Sequence, residues 1–419
     1  MRVLFILCLL PVFIFGEQLS LAELVDIALK NNPETQRVWA NVKRAEATVG
    51  IVKSGEYPHV NTQGSLTHAR EVTFPNGPNT IFTSYGAELN LNYILLDFGA
   101  TRAAVRATKQ ALQASKWWAN FSMQKIFAEV ASNYYDYLNA SQLLQTREAS
   151  LEDARTILEA AEELYKAGLR SQADSLSAKA AVAEMRMAFA EQKAGTAFSY
   201  GKLLTAMGLS LETELQVETD PEEIKNPLFT EGISAMIAAA ERQRADLMAR
   251  QASFAGMSAR VDHAKRARFP KLRALGQGGW FEYGKHKGSG YNYSAGLALD
   301  VPLFKGFEYA YQKRQALADV EISAAEIREL QQAIALEVLH SSELAKAAQE
   351  SLSYSEEFFD EAYAAYGQAM ESYKAGLISI FDLLQSQKFL SDARTKKAQT
   401  RTAWLLALAQ LAFSIGDYQ

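Results

Sequence analysis

The chain has 419 residues and a formal net charge of -5, and this mild acidity argues against a nucleic-acid partner. Its single cysteine, Cys8, excludes a disulfide framework and a thiolate metal site. The five histidines are scattered and show no HExxH or other ligand spacing. The residues therefore predict no metal and no other cofactor.

The N-terminal segment, residues 1–16, has the pattern of a secretory signal peptide. A basic residue and an apolar run that ends at Phe15 precede Gly16, which is the charged, apolar and small-residue order of such peptides. The cleavage position is open by a few residues, and Cys8 is expected to leave with the peptide. No later run of 18 apolar residues occurs, so no transmembrane helix is predicted.

A segment that occurs twice organises the rest of the chain. Residues 165–176 follow the pattern Y-K-A-G-L-x-S-x-x-D-x-L, which returns 208 positions later at 373–384. One period spans half of the chain, so the repeat indicates a duplicated domain and not a solenoid of about 20 to 50 residues per unit. We expect a first repeat over 17–216, a linker over 217–228 and a second repeat over 229–419.

Each repeat is predicted to contain one β-hairpin, over about 57–97 and about 269–305. Apolar residues alternate there with small or polar ones, a period-2 pattern typical of a sheet with two unlike faces. Turn-rich connectors at 74–79 and 284–290 separate the two strands of each hairpin. Aromatic residues cluster near the strand ends, as they do in outer-membrane strands, although soluble hairpins are also rich in aromatic residues.

Two tracts are predicted to form very long helices. Residues 100–167 contain neither Gly nor Pro, and residues 307–375 contain Gly367 alone. At 1.5 Å per residue, about 68 helical residues reach roughly 100 Å, which no compact globular core requires. Alanine-rich sequence with apolar residues seven apart favours coiled-coil-like packing. Return helices are expected over 169–194 and 377–415.

The repeated segment predicts a helix-turn-helix at the end of each long helix. Its glycine is the usual helix stop, its serine is a good N-cap, and an acid three residues later completes a capping box. These residues are Gly168, Ser171 and Asp174 in the first repeat and Gly376, Ser379 and Asp382 in the second. The tips of the hairpins are therefore expected near 168–171 and 376–379. From the residues alone, both acids are interpreted as structural caps.

The number of strands predicts an assembly. Two hairpins supply four strands, and strands in lipid must close into a barrel because an open edge leaves backbone groups without hydrogen bonds. Bacterial barrels begin at about eight strands, which suffice only for a filled interior. Two copies would give eight strands and three would give twelve, so three is the smaller number that leaves a lumen.

Five short matches in order carry a resemblance to a known family. They are Ala28-Leu29-Lys30-Asn31-Asn32-Pro33-Glu34, Tyr57-Pro58 with Phe269-Pro270, Leu95-Leu96-Asp97-Phe98-Gly99, Pro302-Leu303-Phe304-Lys305-Gly306, and the doubled Y-K-A-G-L-x-S-x-x-D. With them the chain resembles the TolC-like outer-membrane efflux proteins over essentially its whole length after the signal peptide.

The resemblance implies a mainly α fold with a membrane β-barrel part. Long, internally duplicated α-helical hairpins would form an α-barrel, and four strands per protomer would give a twelve-stranded barrel in a homotrimer. Such a protein lies in the outer membrane of a Gram-negative-type cell, in contact with its lipid, and extends into the periplasm. It exports small molecules or proteins with a periplasmic adaptor protein and an inner-membrane transporter, and it is gated at its periplasmic end.

The resemblance also implies roles at the helix turns. Asp382 matches an acid that forms a ring at the tunnel mouth, and Tyr373 matches a tyrosine that helps to hold the mouth shut by hydrogen bonding. Gln385 stands where a well-known member has a second acid, and Ile378 where it has a latch arginine. We therefore expect a ring of three carboxylates rather than six, which favours cations over anions, and a weaker or different latch. Asp174 is expected to act as a structural helix cap and Asp382 as the pore acid.

The turns themselves are expected to meet the adaptor protein. The docking residues that the resemblance implies are Gly168, Leu169, Ser171, Gly376, Leu377 and Ser379. Arg170 follows the first Gly-Leu pair and Ile378 follows the second. Any latch should therefore be asymmetric within each protomer.

Two other classes of protein are alternatives to an export channel. A soluble periplasmic coiled-coil scaffold explains the long helices but gives the hairpins no role. An enzyme is disfavoured, because no nucleophile arrangement, metal set or phosphate loop occurs. The glycine-rich Gly276-Gln277-Gly278-Gly279 lies in a strand with no helix after it, so it is no dinucleotide fingerprint.

Overall fold

The computed structural model describes residues 18–71, 80–219, 232–283 and 288–416. Four predicted features fall wholly or partly outside these ranges. They are the signal peptide at 1–16 with Cys8, the connector at 74–79, most of the linker at 217–228 and most of the connector at 284–290.

Eight α-helices make up most of the described chain. They are α1 (Leu21–Asn31), α2 (Pro33–Lys53), α3 (Ala100–Lys166), α4 (Gln172–Ala206), α5 (Ile233–Gln243), α6 (Ala245–Arg266), α7 (Glu308–Lys374) and α8 (Ile380–Ile415). The two long ones, α3 and α7, have 67 residues each, so the tracts without proline form the uninterrupted helices that the sequence predicts. None of the helices in the described ranges has both the length and the apolar composition needed to span a membrane.

The first return helix is longer than expected. Helix α4 runs to Ala206, whereas the prediction ended near residue 194 because Gly195 and Gly201 follow. A glycine in a helix costs only about 1 kcal/mol relative to alanine. Leu203 and Leu204, which lie beyond both glycines, are fully buried and contribute roughly 1.5 to 3 kcal/mol each. Burial at the end of α4 therefore offsets the cost of its glycines.

Four antiparallel strands form one sheet in the order β1-β2-β3-β4. They are β1 (His59–Glu71), β2 (Thr80–Leu96), β3 (Lys271–Tyr283) and β4 (Ser289–Asp300). The central pair, β2 and β3, joins the hairpin of the first half of the chain to that of the second, with Asn90 opposite Gln277. Within the described ranges β1 pairs only with β2 and β4 only with β3, so both outer strands present unpaired edges.

The two faces of the sheet differ in polarity. Leu89 and Tyr293 lie in one cross-strand row, and Tyr293 is 91% exposed. The next residue along each strand points to the other face. There Glu88 accepts hydrogen bonds from Asn90 at 3.0 Å and from Gln277 at 2.7 Å. One face is therefore apolar and exposed, and the other carries a hydrogen-bonded polar cluster.

The chain forms two compact units. Unit 1 comprises Met1–Arg37, Phe121–Arg244 and Gln332–Gln419, and unit 2 comprises Val38–Asn120 and Ala245–Gln331. In the core of unit 1, Tyr134, Tyr135 and Leu203 are no more than 2% exposed. Each unit takes segments from both halves of the chain, so the repeats expected over 17–216 and 229–419 remain a prediction.

Two helix breaks in unit 1 make the same contact. Asn32, between α1 and α2, donates from Nδ2 to the Ala206 carbonyl oxygen at 2.9 Å. Arg244, between α5 and α6, donates from Nη1 to the Ser414 carbonyl oxygen at 3.2 Å. Ala206 and Ser414 are 208 positions apart. Each half of the chain therefore fastens the end of its return helix to a helix break in the same way.

Two strand-to-helix junctions in unit 2 share an unusual backbone. Phe98 and Gly99 have φ angles of 52° and 82°, and Gly306 and Phe307 have φ angles of 55° and 66°. Glycine and phenylalanine thus exchange places between junctions 208 positions apart. Both junctions nevertheless keep two successive left-handed residues, which is rare for phenylalanine. The two junctions therefore share the same backbone conformation, although the glycine is the second residue of the pair in one and the first in the other.

Candidate gate at the helix turns

Both copies of the repeated segment form helix turns in unit 1. The first turn, residues 167–171, joins α3 to α4, and the second turn, residues 375–379, joins α7 to α8. Gly168 and Gly376 have φ angles of 73° and 81°, which residues with side chains rarely adopt. Each glycine and the leucine after it donate backbone hydrogen bonds to the preceding helix at 2.9 to 3.0 Å. This is a Schellman-type helix end.

The second turn has a complete capping box. Ser379 Oγ accepts from the Asp382 amide at 3.2 Å, and Asp382 Oδ2 accepts from the Ser379 hydroxyl at 2.6 Å and from its amide at 3.0 Å. The hydroxyl and then the amide of Ser379 lower the pKa of Asp382, so its carboxylate is charged at neutral pH. Asp382 is exposed, as is Gln385 one helical turn later.

The first turn uses its acid differently. Ser171 Oγ accepts from the Asp174 amide at 3.3 Å and donates to Asp174 Oδ1 at 2.6 Å. The other carboxylate oxygen, Oδ2, accepts from the Tyr373 hydroxyl at 3.4 Å. Asp174 therefore caps α4 and also contacts the second repeat, which is more than the plain cap expected from the sequence.

Tyr373 is fully buried in an apolar cluster between the two hairpins. The buried residues around it are Ile157, Ala161, Ala178, Met370 and Leu383. Burial, reinforced by the charge of Asp174, raises the pKa of Tyr373, so its phenol is neutral and can donate a proton. The resemblance implies that this tyrosine forms a hydrogen bond at the tunnel mouth. In the structure it donates to Asp174 of the same chain.

Arg170 reaches across from the first turn to the second. Its guanidinium carbon lies 4.7 Å from the centroid of the Tyr373 ring. Its Nη2 donates to the carbonyl oxygen of Ile378 at 2.6 Å and to that of Tyr373 at 3.2 Å. The sequence predicted an asymmetric latch from Arg170 and Ile378. It did not indicate that the one residue would bind the other.

Further polar contacts join the two hairpins away from the turns. Ser150 Oγ donates to Ser391 Oγ at 3.0 Å, and Gln387 Nε2 donates to the Ser150 carbonyl oxygen at 3.2 Å. Arg394 forms a largely buried ion pair with Asp153. Sequence reasoning missed these residues because the partners are up to 241 positions apart and no local motif marks them.

Two leucines project from the turns. Leu169 is 71% exposed and Leu377 is 78% exposed. The other residues that the sequence assigns to docking, Gly168, Ser171, Gly376 and Ser379, are exposed as well. Each turn therefore presents one large apolar side chain to solvent.

The residues at the two turns provide a fixed charge and non-covalent contacts between the hairpins. Asp382 supplies an exposed negative charge, while Arg170 and Tyr373 supply bonds between two hairpins. In the part of the chain that the structure describes, no three His, Cys, Asp or Glu side chains gather closely enough to hold a metal ion.

A family model matches most of the chain. The model is that of the outer membrane efflux proteins, and it matches residues 24–209 and 236–417. Among relatives, protein CyaE of Bordetella pertussis is 28% identical over 401 residues, which cover 94% of this chain and 84% of that protein. Outer membrane protein TolC of Vibrio cholerae is 22% identical over 408 residues, covering 95% of this chain and 90% of TolC.

Solved structures share the fold. The outer-membrane channel OprN superposes with a TM-score of 0.83 at 20% identity, over 95% of this chain and 90% of OprN. The outer membrane protein VceC of Vibrio cholerae gives a TM-score of 0.81 at 19% identity, over 95% of this chain and 96% of VceC. A mainly helical fold with a four-stranded sheet is therefore common to all three. With the family model matched over most of its length, the chain belongs to the outer membrane efflux proteins, which are transport channels and not enzymes.

Proposed function

We propose that this outer-membrane protein is one protomer of a homotrimeric channel-tunnel that exports small molecules or proteins. The observation that carries the proposal is the four-stranded sheet with two unpaired edges and an exposed apolar face. An unsatisfied backbone group in lipid costs several kcal/mol. Strand β1 of one copy would therefore pair with β4 of the next, and three copies would close a twelve-stranded barrel with a lumen.

The helices support the same assembly. Large apolar side chains remain uncovered along them, among which Met187, Phe198, Leu336 and Tyr354 are each more than 60% exposed. Neighbouring protomers would cover such side chains in an α-helical tunnel that continues the barrel into the periplasm. The family model matches the chain in two separate segments, which supports two duplicated halves, each contributing one strand hairpin and one helix hairpin.

The second turn is the proposed gate and selectivity site. Three Asp382 carboxylates would form a ring at the tunnel mouth, and Gln385 would place a neutral amide one turn further in. Fixed negative charge in a narrow opening favours cations over anions. Tyr373 and Asp174 would help to hold the second hairpin in the closed position.

The exposed turns are the proposed docking surface for a periplasmic adaptor protein. Leu169 and Leu377 would supply the apolar contacts, and the remaining turn residues, Gly168, Ser171, Gly376 and Ser379, would fix their backbone. The adaptor would connect the conduit to an inner-membrane transporter. That transporter would supply the energy and select the cargo, since the channel itself is passive.

Recording in planar lipid bilayers tests the proposed function. The mature protein, extracted from membranes with detergent, should insert and give stepwise conductance, and heat-denatured protein should give none. A mature protein that stays in solution without detergent and never conducts would support the soluble periplasmic scaffold instead.

A further inference from the structure

We propose that Arg170 is the positioning residue that holds the second turn against the first and so keeps the tip of each protomer closed. This inference rests on the proposed gate, because it assigns a regulator to it. Arg170 itself is not expected to touch cargo.

One nitrogen of Arg170 binds both sides of the second turn. Its Nη2 donates to Tyr373 O, at the end of α7, and to Ile378 O, just before the N-cap of α8. A displacement of the turn as a whole would break both bonds. Hydrogen bonds from a charged donor are stronger than those between neutral groups. A cation at the C-terminal end of α7 also interacts favourably with the helix dipole.

The aromatic contact fixes the guanidinium in this orientation. Arg170 stacks over the Tyr373 ring at 4.7 Å, and that ring is fully buried. A lysine lacks the planar fork that can stack and donate at the same time. The site therefore requires arginine for full strength, and lysine should restore only part of it.

The tie is one-sided within each protomer. The residue equivalent to Arg170 in the second repeat is Ile378, whose side chain has no donor and packs against the apolar cluster around Tyr373. The second turn therefore contributes backbone acceptors and the first turn contributes the cation. If the second hairpin moves when the channel opens, the Arg170 bonds must break first.

Hydrogen exchange measured on the detergent-purified trimer tests the tie without any transport. In Arg170→Gln, the amides of Gly376 and Leu377 should exchange at least about tenfold faster than in the wild type, because bonds from a charged group are lost. Gly168 and Leu169 make the equivalent backbone bonds in the first turn and serve as the internal control. Arg155→Gln is the matched control variant, since Arg155 also lies on this hairpin, where it forms an exposed ion pair with nearby Glu152. Exchange within twofold of the wild type at residues 376–377 would overturn the tie.

Bilayer recording then tests whether the tie controls the gate. Arg170→Gln should raise the open fraction several-fold over the wild type, Arg170→Lys should fall between the two, and Arg155→Gln should match the wild type. Faster exchange with an unchanged open fraction would overturn the role of Arg170 at the gate while leaving the export channel intact. If Arg170→Gln fails to assemble, Arg170→Lys carries both measurements. A wild type that never conducts would contradict the proposed function, and the exchange data would still decide the tie.

Discussion

Arg170 and Ile378 hold the same position in the two copies of the repeated segment, and the Arg170 guanidinium binds the Ile378 carbonyl oxygen at 2.6 Å. The acceptor is backbone, so the contact does not depend on the side chain at position 378. The two turns are alike in shape, with a left-handed glycine and a serine N-cap in each. They differ in role, because one donates the bond and the other accepts it.

Replacing Asp382 with asparagine should remove most of the proposed preference for cations. The asparagine side-chain oxygen can still accept from Ser379, so α8 keeps its cap while three charges leave the proposed ring. The reversal potential across a salt gradient measures the change, which should move towards the value of an unselective pore.

Two further variants separate charge from capping at this position. Gln385→Ala changes no charge and should keep the reversal potential of the wild type. Asp382→Ala removes the charge together with the two hydrogen bonds that the carboxylate accepts from Ser379, so it should lose selectivity and also weaken the capping box at the start of α8. An unchanged reversal potential in Asp382→Asn would rule out the assignment of Asp382 as the selectivity residue.

The selectivity should depend on pH through the same carboxylate. The pKa of Asp382 is lowered by the Ser379 hydroxyl and then by the Ser379 amide. Its charge and its contribution to capping are therefore present above the unfolded pKa of about 3.9, and both are lost as the pH falls through the lower folded pKa. Ser379→Ala removes the hydroxyl and should shift the loss of cation preference to higher pH. Equal midpoints in the two proteins would show that Ser379 does not tune the acid.

Tyr373→Phe should affect the closed state less than Arg170→Gln does. Phenylalanine keeps the ring beneath Arg170 and the carbonyl that Arg170 binds. It removes only the hydrogen bond to Asp174, whose length of 3.4 Å lies beyond the usual range. The loss of stability should be less than about 1 kcal/mol, as measured by thermal unfolding. A larger open fraction for Tyr373→Phe than for Arg170→Gln would place the main tie at the tyrosine hydroxyl.

Two glycines with the same φ of 73° separate backbone strain from close packing. A Cβ at Gly208 would lie 2.9 Å from the carbonyl oxygen of Asn31, whereas a Cβ at Gly168 would meet nothing within 4 Å. Left-handed strain of about 1 to 2 kcal/mol applies to alanine at either position. Gly208→Ala should therefore unfold at a clearly lower temperature than Gly168→Ala. Similar midpoints would mean that the break after α1 yields easily to an added methyl group.

Removing Arg244 should destabilise unit 1 more than neutralising its partner does. The Arg244 side chain is 8% exposed and donates to Glu337 at 2.5 Å and to the Ser414 carbonyl oxygen at 3.2 Å. Arg244→Ala leaves both acceptors without this donor, at a cost of about 3 kcal/mol. The Glu337 side chain is 40% exposed, and Glu337→Gln keeps an acceptor oxygen for Arg244. This substitution should therefore cost about 1 kcal/mol of stability. Chemical unfolding followed by circular dichroism compares them, and equal costs would contradict a buried role for Arg244.

Local signals explain why much of the fold could be predicted from the sequence. The glycines at 168 and 376, the serine caps after them and the alternating strand residues each determine structure within a few positions. The strands begin and end within a few residues of the predicted blocks. The predicted end of α4 is wrong because the burial of Leu203 and Leu204 outweighs the cost of two glycines in the helix. Burial depends on distant parts of the chain, so no local signal shows it.

The contacts at the candidate gate could be predicted less well. The bonds of Arg170 join residues 203 and 208 positions apart, and they exist only because two distant turns lie side by side. Backbone carbonyls accept those bonds, so no side-chain motif at Ile378 signals them. The duplication placed Arg170 opposite Ile378 in the alignment, but only the structure brings them into contact.

Closure of the sheet between copies is the central claim, and disulfide trapping tests it most directly. Cys8 is the only cysteine of the chain and precedes the expected mature protein. Any disulfide bond that forms must therefore join the introduced cysteines. One cysteine on the polar face of β1, at Asn61, Gln63 or Ser65, is combined with one on the polar face of β4, at Asn292, Ser294 or Gly296. In membranes under oxidising conditions, at least one combination should give a ladder of linked chains that stops at three. A ladder that stops at two, or monomers alone for every combination, would contradict the twelve-stranded trimer.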